Sequence, residues 1–151
     1  TGFTLAYLVY NTISNLLTQD EQVECFRNAA RHLAPGGRFV IELWVPQLRA
    51  LAPGHAGTVE VSEPGYLLVD IIDPLNQLLT SHHMRFGADI SDGRQARIGR
   101  SPHRYIWPSE LDLMARLAGF RLEARWSDFR RSDFTAESTG HVSVYRLEEG
   151  D

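Results

Sequence analysis

Cysteine is nearly absent. Cys25 stands alone among 151 residues, which excludes an internal disulfide. Basic charge is not in excess either. Fifteen Lys and Arg face nineteen Asp and Glu, for a formal net charge of −4 with the signs interspersed. Nucleic-acid partners usually demand a basic face, so none is expected. No apolar run is long enough to cross a bilayer. Phe3 to Tyr10 is too short for a secretory signal and lacks its basic flank, so no membrane partner and a cytoplasmic location are expected. Six histidines are present, but no His, Cys, Asp or Glu spacing resembles a zinc pattern, and no metal is expected. Internal repeats, low-complexity tracts and domain linkers are also missing. The length suits one domain with a real core. The chain opens on Thr1 rather than Met, directly on an apolar strand, so something is expected before it.

What is present is organised by residues 3–43. Phe3 to Tyr10 and Arg38 to Leu43 are near-continuous apolar runs, the pattern of parallel strands covered on both faces. Between them a helix is predicted from Gln19 to Leu33. Thr18-Gln19-Asp20-Glu21 fits a capping box, and the two acids suit the positive end of the helix dipole. Val23, Phe26, Ala30 and Leu33 recur on one helical face. Arg31 and His32 suit the last turn; Pro35 stops the helix, and Gly36 or Gly37 can turn the chain. The result is a β-α-β unit.

Residues 44–57 read as a loop with a short helical turn at Gln47 to Leu51. Four short strands follow in the region 58–106, punctuated by Pro64-Gly65, Asp73-Pro74, Asp92-Gly93 and Ser101-Pro102. They predict an antiparallel meander with one wet face. Leu78, Thr80, His82, Met84 and Phe86 fall on one side of the third strand; Leu79, Ser81, His83 and Arg85 fall on the other. Pro108 can open a second helix through Leu117, stopped at Gly119. Phe120 to Trp126 is a strand. Ser127 to Gly140 is a polar loop long enough to be functional or mobile. His141 to Leu147 is the last strand, before a short acidic tail, Glu148 to Asp151.

In order, these segments resemble the second half of a class I S-adenosylmethionine-dependent methyltransferase. Phe3 to Tyr10 with Asn11-Thr12-Ile13-Ser14-Asn15-Leu16 resembles the family's fourth strand and its following loop. His32 to Ile41, with its L-x-P-G-G turn, resembles the entry to strand five. Tyr105 to Leu111 with Ala118-Gly119-Phe120 resembles the helix and turn before strand six, and His141 to Tyr145 resembles strand seven. The meander is similar to that of small-molecule methyltransferases, including those that methylate amino sugars. The resemblance implies an α/β fold: part of a doubly wound, Rossmann-like sheet with an antiparallel last strand and a meander inserted as a substrate cap. Residues 1–151 would form a single domain, the C-terminal portion of a methyltransferase domain.

The family's first half carries a glycine-rich loop and an acidic residue that hold the cofactor. No glycine spacing of that kind occurs in this chain. The resemblance therefore implies S-adenosylmethionine as cofactor of the complete domain, a small-molecule substrate, and a chain inactive alone. Asn11, Thr12 and Ile13 leave the carboxyl end of a central strand, where open α/β sheets bind ligands. They either contact the cofactor or cap and pack the next helix. Asn15, Trp44, His83 and Tyr105 are the candidate substrate-pocket residues; for Trp44 and Tyr105 the alternative is packing. His83 or His103 could take a proton from the substrate, or be solvated. Cys25 reads as a small core or edge residue, and Arg130-Arg131 as a solvated pair. No catalytic residue is assigned. A rival reading is a non-catalytic domain that associates, as a homo-oligomer, through the edge of the strand Phe3 to Tyr10. Half of a nicotinamide-dependent oxidoreductase is a third reading, which would require a parallel last strand.

Overall fold

A computed structural model describes residues 2–87 and 96–148. The elements in chain order are β1 (Phe3–Leu8), α1 (Gln19–His32), β2 (Leu33–Trp44), β3 (Gly57–Glu63), β4 (Tyr66–Asp73), β5 (Leu78–Phe86), β6 (Ala96–Arg104), α2 (Pro108–Leu117), β7 (Phe120–Trp126) and β8 (Gly140–Leu147). They form two compact units: Thr1–Pro46 together with Ile106–Asp151, and Gln47–Tyr105.

The first unit holds a four-stranded sheet in the order β1-β2-β8-β7. β1 and β2 run parallel across the α1 crossover, and β8 runs antiparallel to both β2 and β7. The antiparallel last strand removes the oxidoreductase reading. The α1 capping box is complete: the Glu21 N–H donates to Thr18 Oγ1 at 3.2 Å, and Glu21 Oε2 accepts the Thr18 N–H at 3.0 Å. Pro108 occupies the first turn of α2, and Gly119, at φ +81°, follows its end.

Two sequence expectations need correction here. The helix ends at His32, and Pro35-Gly36-Gly37 lies inside β2 rather than between elements. Pairing with β1 jumps from Phe3↔Leu33 to Leu5↔Arg38, so the Pro-Gly-Gly step is an irregularity in the strand, with Gly36 at φ +75°. Nor are both parallel strands covered on both faces. In β2, Phe39, Ile41 and Leu43 are buried, while Val40, Glu42 and Trp44 are half-buried. β1 stands at the sheet edge; Ala6 and Leu8 pack on the core, but Phe3, Leu5 and Tyr7 are 62%, 53% and 64% exposed.

Phe26 of α1 is the centre of this unit's core. Its ring meets Phe39, Tyr145 and Phe120 edge-on at centroid distances of 5.2, 5.6 and 6.1 Å, the arrangement favoured by opposed ring quadrupoles. Cys25 is half-buried beside this core, and burial pushes its thiol pKa up.

The second unit is a meander in the order β3-β4-β5-β6, every pair antiparallel. Ser101-Pro102 does not interrupt β6. That strand is at the sheet edge, where the missing Pro102 N–H breaks no ladder. Asp73 Oδ1 accepts the backbone N–H groups of Leu75 and Asn76 at 3.0 and 3.2 Å, closing the β4–β5 turn. The expected helical turn at Gln47 to Leu51 is a short 3-10 segment, Leu48–Ala50. The Asp92-Gly93 turn, Arg94 and the tail from Glu149 to Asp151 lie outside the described residues. Among the described residues no helix is long and apolar enough to cross a membrane.

Candidate functional site

The chain leaves β1 under backbone constraint. Tyr10 and Asn11 are consecutive left-handed residues, at φ 56° and 57°, a conformation costing about 1 kcal/mol for most side chains. Asn tolerates it best after Gly. Two side-chain contacts hold the reversal. Glu42 Oε2 accepts the Tyr10 N–H at 2.8 Å, and Asn11 Oδ1 accepts the Trp44 N–H at 2.7 Å. The loop after β1 is thus pinned to the carboxyl end of β2.

A cavity of about 360 Å³ opens at that end of the sheet. Its wall comes from four places: Tyr10 and Asn11 after β1, Glu42 to Trp44 at the end of β2, Ser127 to Phe129 after β7, and Gly140 to Val142 at the start of β8. This is the carboxyl edge of the parallel strands, where ligands bind in open α/β sheets. The lining includes two carboxyl side chains, Glu42 and Asp128, and the rings of Tyr10, Trp44 and Phe129, with no Lys or Arg. Such a wall favours a cationic group.

The loop after β7 is tied to itself. Asp128 Oδ1 accepts the Arg130 and Ser132 N–H groups at 2.8 and 3.1 Å, and Oδ2 accepts the Ser132 hydroxyl at 2.9 Å. Those bonds, the Ser132 ones first, hold the Asp128 pKa below the usual carboxylate value. Arg131 is not merely solvated, since its guanidinium lies 5.2 Å from the Trp126 ring centroid.

Behind the cavity wall runs a polar network joining α2, β7 and β8. Arg125 Nε donates to Ser143 Oγ at 2.7 Å, and its terminal nitrogens donate to Asp112 at 2.5 and 3.2 Å and to Tyr145 Oη at 3.1 Å. The Tyr145 hydroxyl donates to Asp112 Oδ1 at 2.7 Å. Ser143 Oγ lies 2.8 Å from His141 Nδ1. His141 is 1% exposed, and its Nε2 has no hydrogen-bond partner. Burial, reinforced by the Arg125 charge, brings the His141 pKa down to about 4. The imidazole is therefore neutral at physiological pH, with its orientation set by Ser143. Burial likewise raises the Tyr145 pKa, so its phenol stays protonated.

The structure brings Asn11 and Trp44 together at the cavity. Thr12 is exposed beside it, its hydroxyl donating to Val9 O at 2.6 Å. Ile13 is 1% exposed within the core, so its side chain has no face for a ligand. Asn15 is exposed at the end of the 3-10 turn Thr12–Asn15. His83 and Tyr105 belong to the other unit. There the Tyr66 hydroxyl lies 2.8 Å from His83 Nδ1. His103 is half-buried, and burial lowers its pKa. Tyr105 is buried, its carbonyl accepting from Gln77 Nε2 at 3.1 Å. Sequence reasoning missed Glu42, Asp128 and His141. Glu42 had a signal: it is the one carboxylate inside an otherwise apolar strand end. Among the described residues no group of three or more His, Cys, Asp or Glu is placed to hold a metal.

No family model matches the sequence, and no curated protein matches it. Solved structures do. The CcbJ methyltransferase of Streptomyces caelestis is 38% identical over 97% of this chain, with a TM-score of 0.83. An S-adenosylmethionine-dependent methyltransferase of Clostridium acetobutylicum shares the fold at 10% identity over 98% of this chain, with a TM-score of 0.74. An amino pentose methyltransferase of Micromonospora echinaspora, with S-adenosylmethionine bound, does so at 19% identity over 96% of this chain, with a TM-score of 0.61. This chain spans 61%, 59% and 58% of the lengths of those three structures. The chain carries the Rossmann-like fold of the class I S-adenosylmethionine-dependent methyltransferases.

Proposed function

We propose that this chain, with its class I methyltransferase fold, supplies the acceptor side of a site for S-adenosylmethionine-dependent methyl transfer to a small molecule. The observation that carries this reading is the cavity at the carboxyl ends of β1 and β2, lined by Glu42 and Asp128 and by Tyr10, Trp44 and Phe129, with no Lys or Arg. When bound, S-adenosylmethionine would supply an electrophilic methyl group on a sulfonium, with a neutral thioether as its leaving group, to an acceptor held in this cavity.

The protein's share is alignment and exclusion of water. Glu42 and Asp128 stabilise positive charge in the cavity. Trp44 and Phe129 give it apolar walls against which an acceptor can rest. Asn11 and Thr12 lie on the cofactor side. Ile13 contributes packing beneath them rather than a side-chain contact. Asn15, His83 and Tyr105 remain candidates for the acceptor pocket, and the unit that contains the last two is read as the substrate cap. No residue is assigned the role of proton acceptor.

The residues present suit the charged, methyl-bearing end of the cofactor and not its adenosine. Residues 9–18, between β1 and α1, contain no glycine, so no backbone there approaches a ribose as closely as a glycine loop does. The isolated chain is expected to bind S-adenosylmethionine poorly or not at all. Calorimetric titration tests this, and micromolar binding would overturn it.

A second reading rests on the exposed apolar face of β1, where Phe3, Leu5 and Tyr7 stand uncovered at the sheet edge. In it the chain is a non-catalytic domain that associates through this strand. Its signature is a self-associated chain that a Tyr7→Glu substitution disperses.

A further inference from the structure

Among the described residues, four titratable side chains belong to the cavity wall: Tyr10, Glu42, Asp128 and His141. Three of them are poorly suited to hold a ligand's hydrogen. Asp128 already accepts at both oxygens from its own loop, from the Arg130 and Ser132 N–H groups and the Ser132 hydroxyl. His141 is paired with Leu43 across β2 and β8, so its side chain shares the face of Leu43, which is the core face. There its Nδ1 is held by Ser143 Oγ. Tyr10 is 88% exposed, so water competes for its hydroxyl.

Glu42 differs on each count. It alternates with Leu43 and so shares the face of Trp44 rather than the core face. It is half-buried. Its strand is paired on both sides, Ile41 with Leu8 and Glu42 with Val142, which gives it a rigid support. Only Oε2 is committed, to the Tyr10 N–H at 2.8 Å. That N–H belongs to the left-handed reversal at Tyr10 and Asn11. Strain of this kind persists where surrounding contacts over-determine it, and it collects at ligand sites. With Oε2 held, the carboxylate has one orientation. Among the described residues nothing donates to Oε1.

We propose that Glu42 is the residue that orients the methyl acceptor, by accepting at Oε1 an N–H or O–H hydrogen bond from the group to be methylated. This deepens the methyl-transfer reading and rests on it. The rings of Trp44 and Phe129 take the carbon substituents of that group, and a ring face also attracts positive charge. The carboxylate adds what a ring cannot, a directional acceptor. A charge-assisted hydrogen bond is stronger and more directional than attraction to charge alone. The pocket should therefore tell a cation that carries a hydrogen from one of similar size that carries none. Asp128 contributes charge to the same wall without choosing a direction.

Two probes separate these cases: trimethylammonium, which has one N–H, and tetramethylammonium, which has none. Their chloride salts are titrated into the isotopically labelled full chain at constant ionic strength, and amide shifts are followed by NMR. Trimethylammonium is expected to bind about tenfold more tightly. The Tyr10 amide should move with it, because that N–H is bonded to the same carboxylate. Glu42→Gln keeps the shape of the side chain and is expected to erase the preference. Glu42→Asp keeps the charge but draws it back by one methylene, and should weaken the preference while cation binding remains. Glu24→Gln removes an equal charge from the surface of α1 and should change neither affinity. Equal affinities in the unsubstituted chain overturn the proposal and leave the cavity as a cation site. So does a preference that survives Glu42→Gln. Binding of neither probe overturns the proposal together with the cation-holding wall on which it rests.

Discussion

Asn11 is asked to do two things at once, and substitution can separate them. Its backbone is left-handed at φ 57°, and its Oδ1 takes the N–H of Trp44 at 2.7 Å. Asn11→Gly keeps the backbone conformation and loses the bond. A partly buried N–H deprived of its partner costs about 1 kcal/mol. Asn11→Ala loses the bond and also forces a Cβ residue into the left-handed region, for about 1 kcal/mol more. Alanine is therefore expected to cost about 2 kcal/mol and glycine about 1. With a urea m-value of about 2 kcal/mol/M, the midpoints should fall by about 1 M and 0.5 M. Amide hydrogen exchange gives a local readout, because both variants should speed exchange of the Trp44 N–H. Equal losses for glycine and alanine would refute the conformational part of the reasoning. An unchanged Trp44 exchange rate would refute the bond.

The His141 pKa, lowered from 6.5 to about 4 by burial, makes stability depend on pH. Between those values the unfolded chain binds more protons than the folded one at this site, so stability rises with pH across the window and is lost as pH falls through it. The full effect is about 3 kcal/mol. Urea titrations from pH 7 to pH 4 should show this slope, and His141→Gln should flatten it; an equal slope in the variant would assign it elsewhere. Arg125 and Asp112 have side chains only 12% and 29% exposed. Asp112→Asn leaves the guanidinium without its counter-charge and is expected to cost about 2–3 kcal/mol. A loss under 0.5 kcal/mol, within the range of ordinary surface changes, would mean that water already screens the pair.

Local physics was legible along the chain. Thr18 and Glu21 announce the start of α1 because a capping box is complete within three residues. Pro108 and Gly119 bracket α2 for equally local reasons, since one lacks an N–H and the other readily adopts positive φ. Alternation in residues 78–86 correctly divides His82 from His83, since a strand has only two sides. Asn11 and Trp44 were read from their positions at strand ends. Their direct hydrogen bond was not legible, because 33 residues separate them and no periodicity reports which strand end meets which. The course of β2 through Pro35-Gly36-Gly37 was likewise misread as a turn, because the same residues that stop a helix also bulge a strand; pairing with β1 decides between them. His141, Ser143, Arg125 and Asp112 show the limit most clearly. Each is unremarkable where it stands in sequence. Only the antiparallel register of β7 on β8, with α2 packed alongside, sets them within hydrogen-bond reach and strips the histidine of water. The sequence by itself determined the order and type of the elements, the caps of the two helices and the kinship of the fold; tertiary structure decided where β2 begins, the cavity and the charge state of its wall, because these depend on pairing with and desolvation by residues far away along the chain.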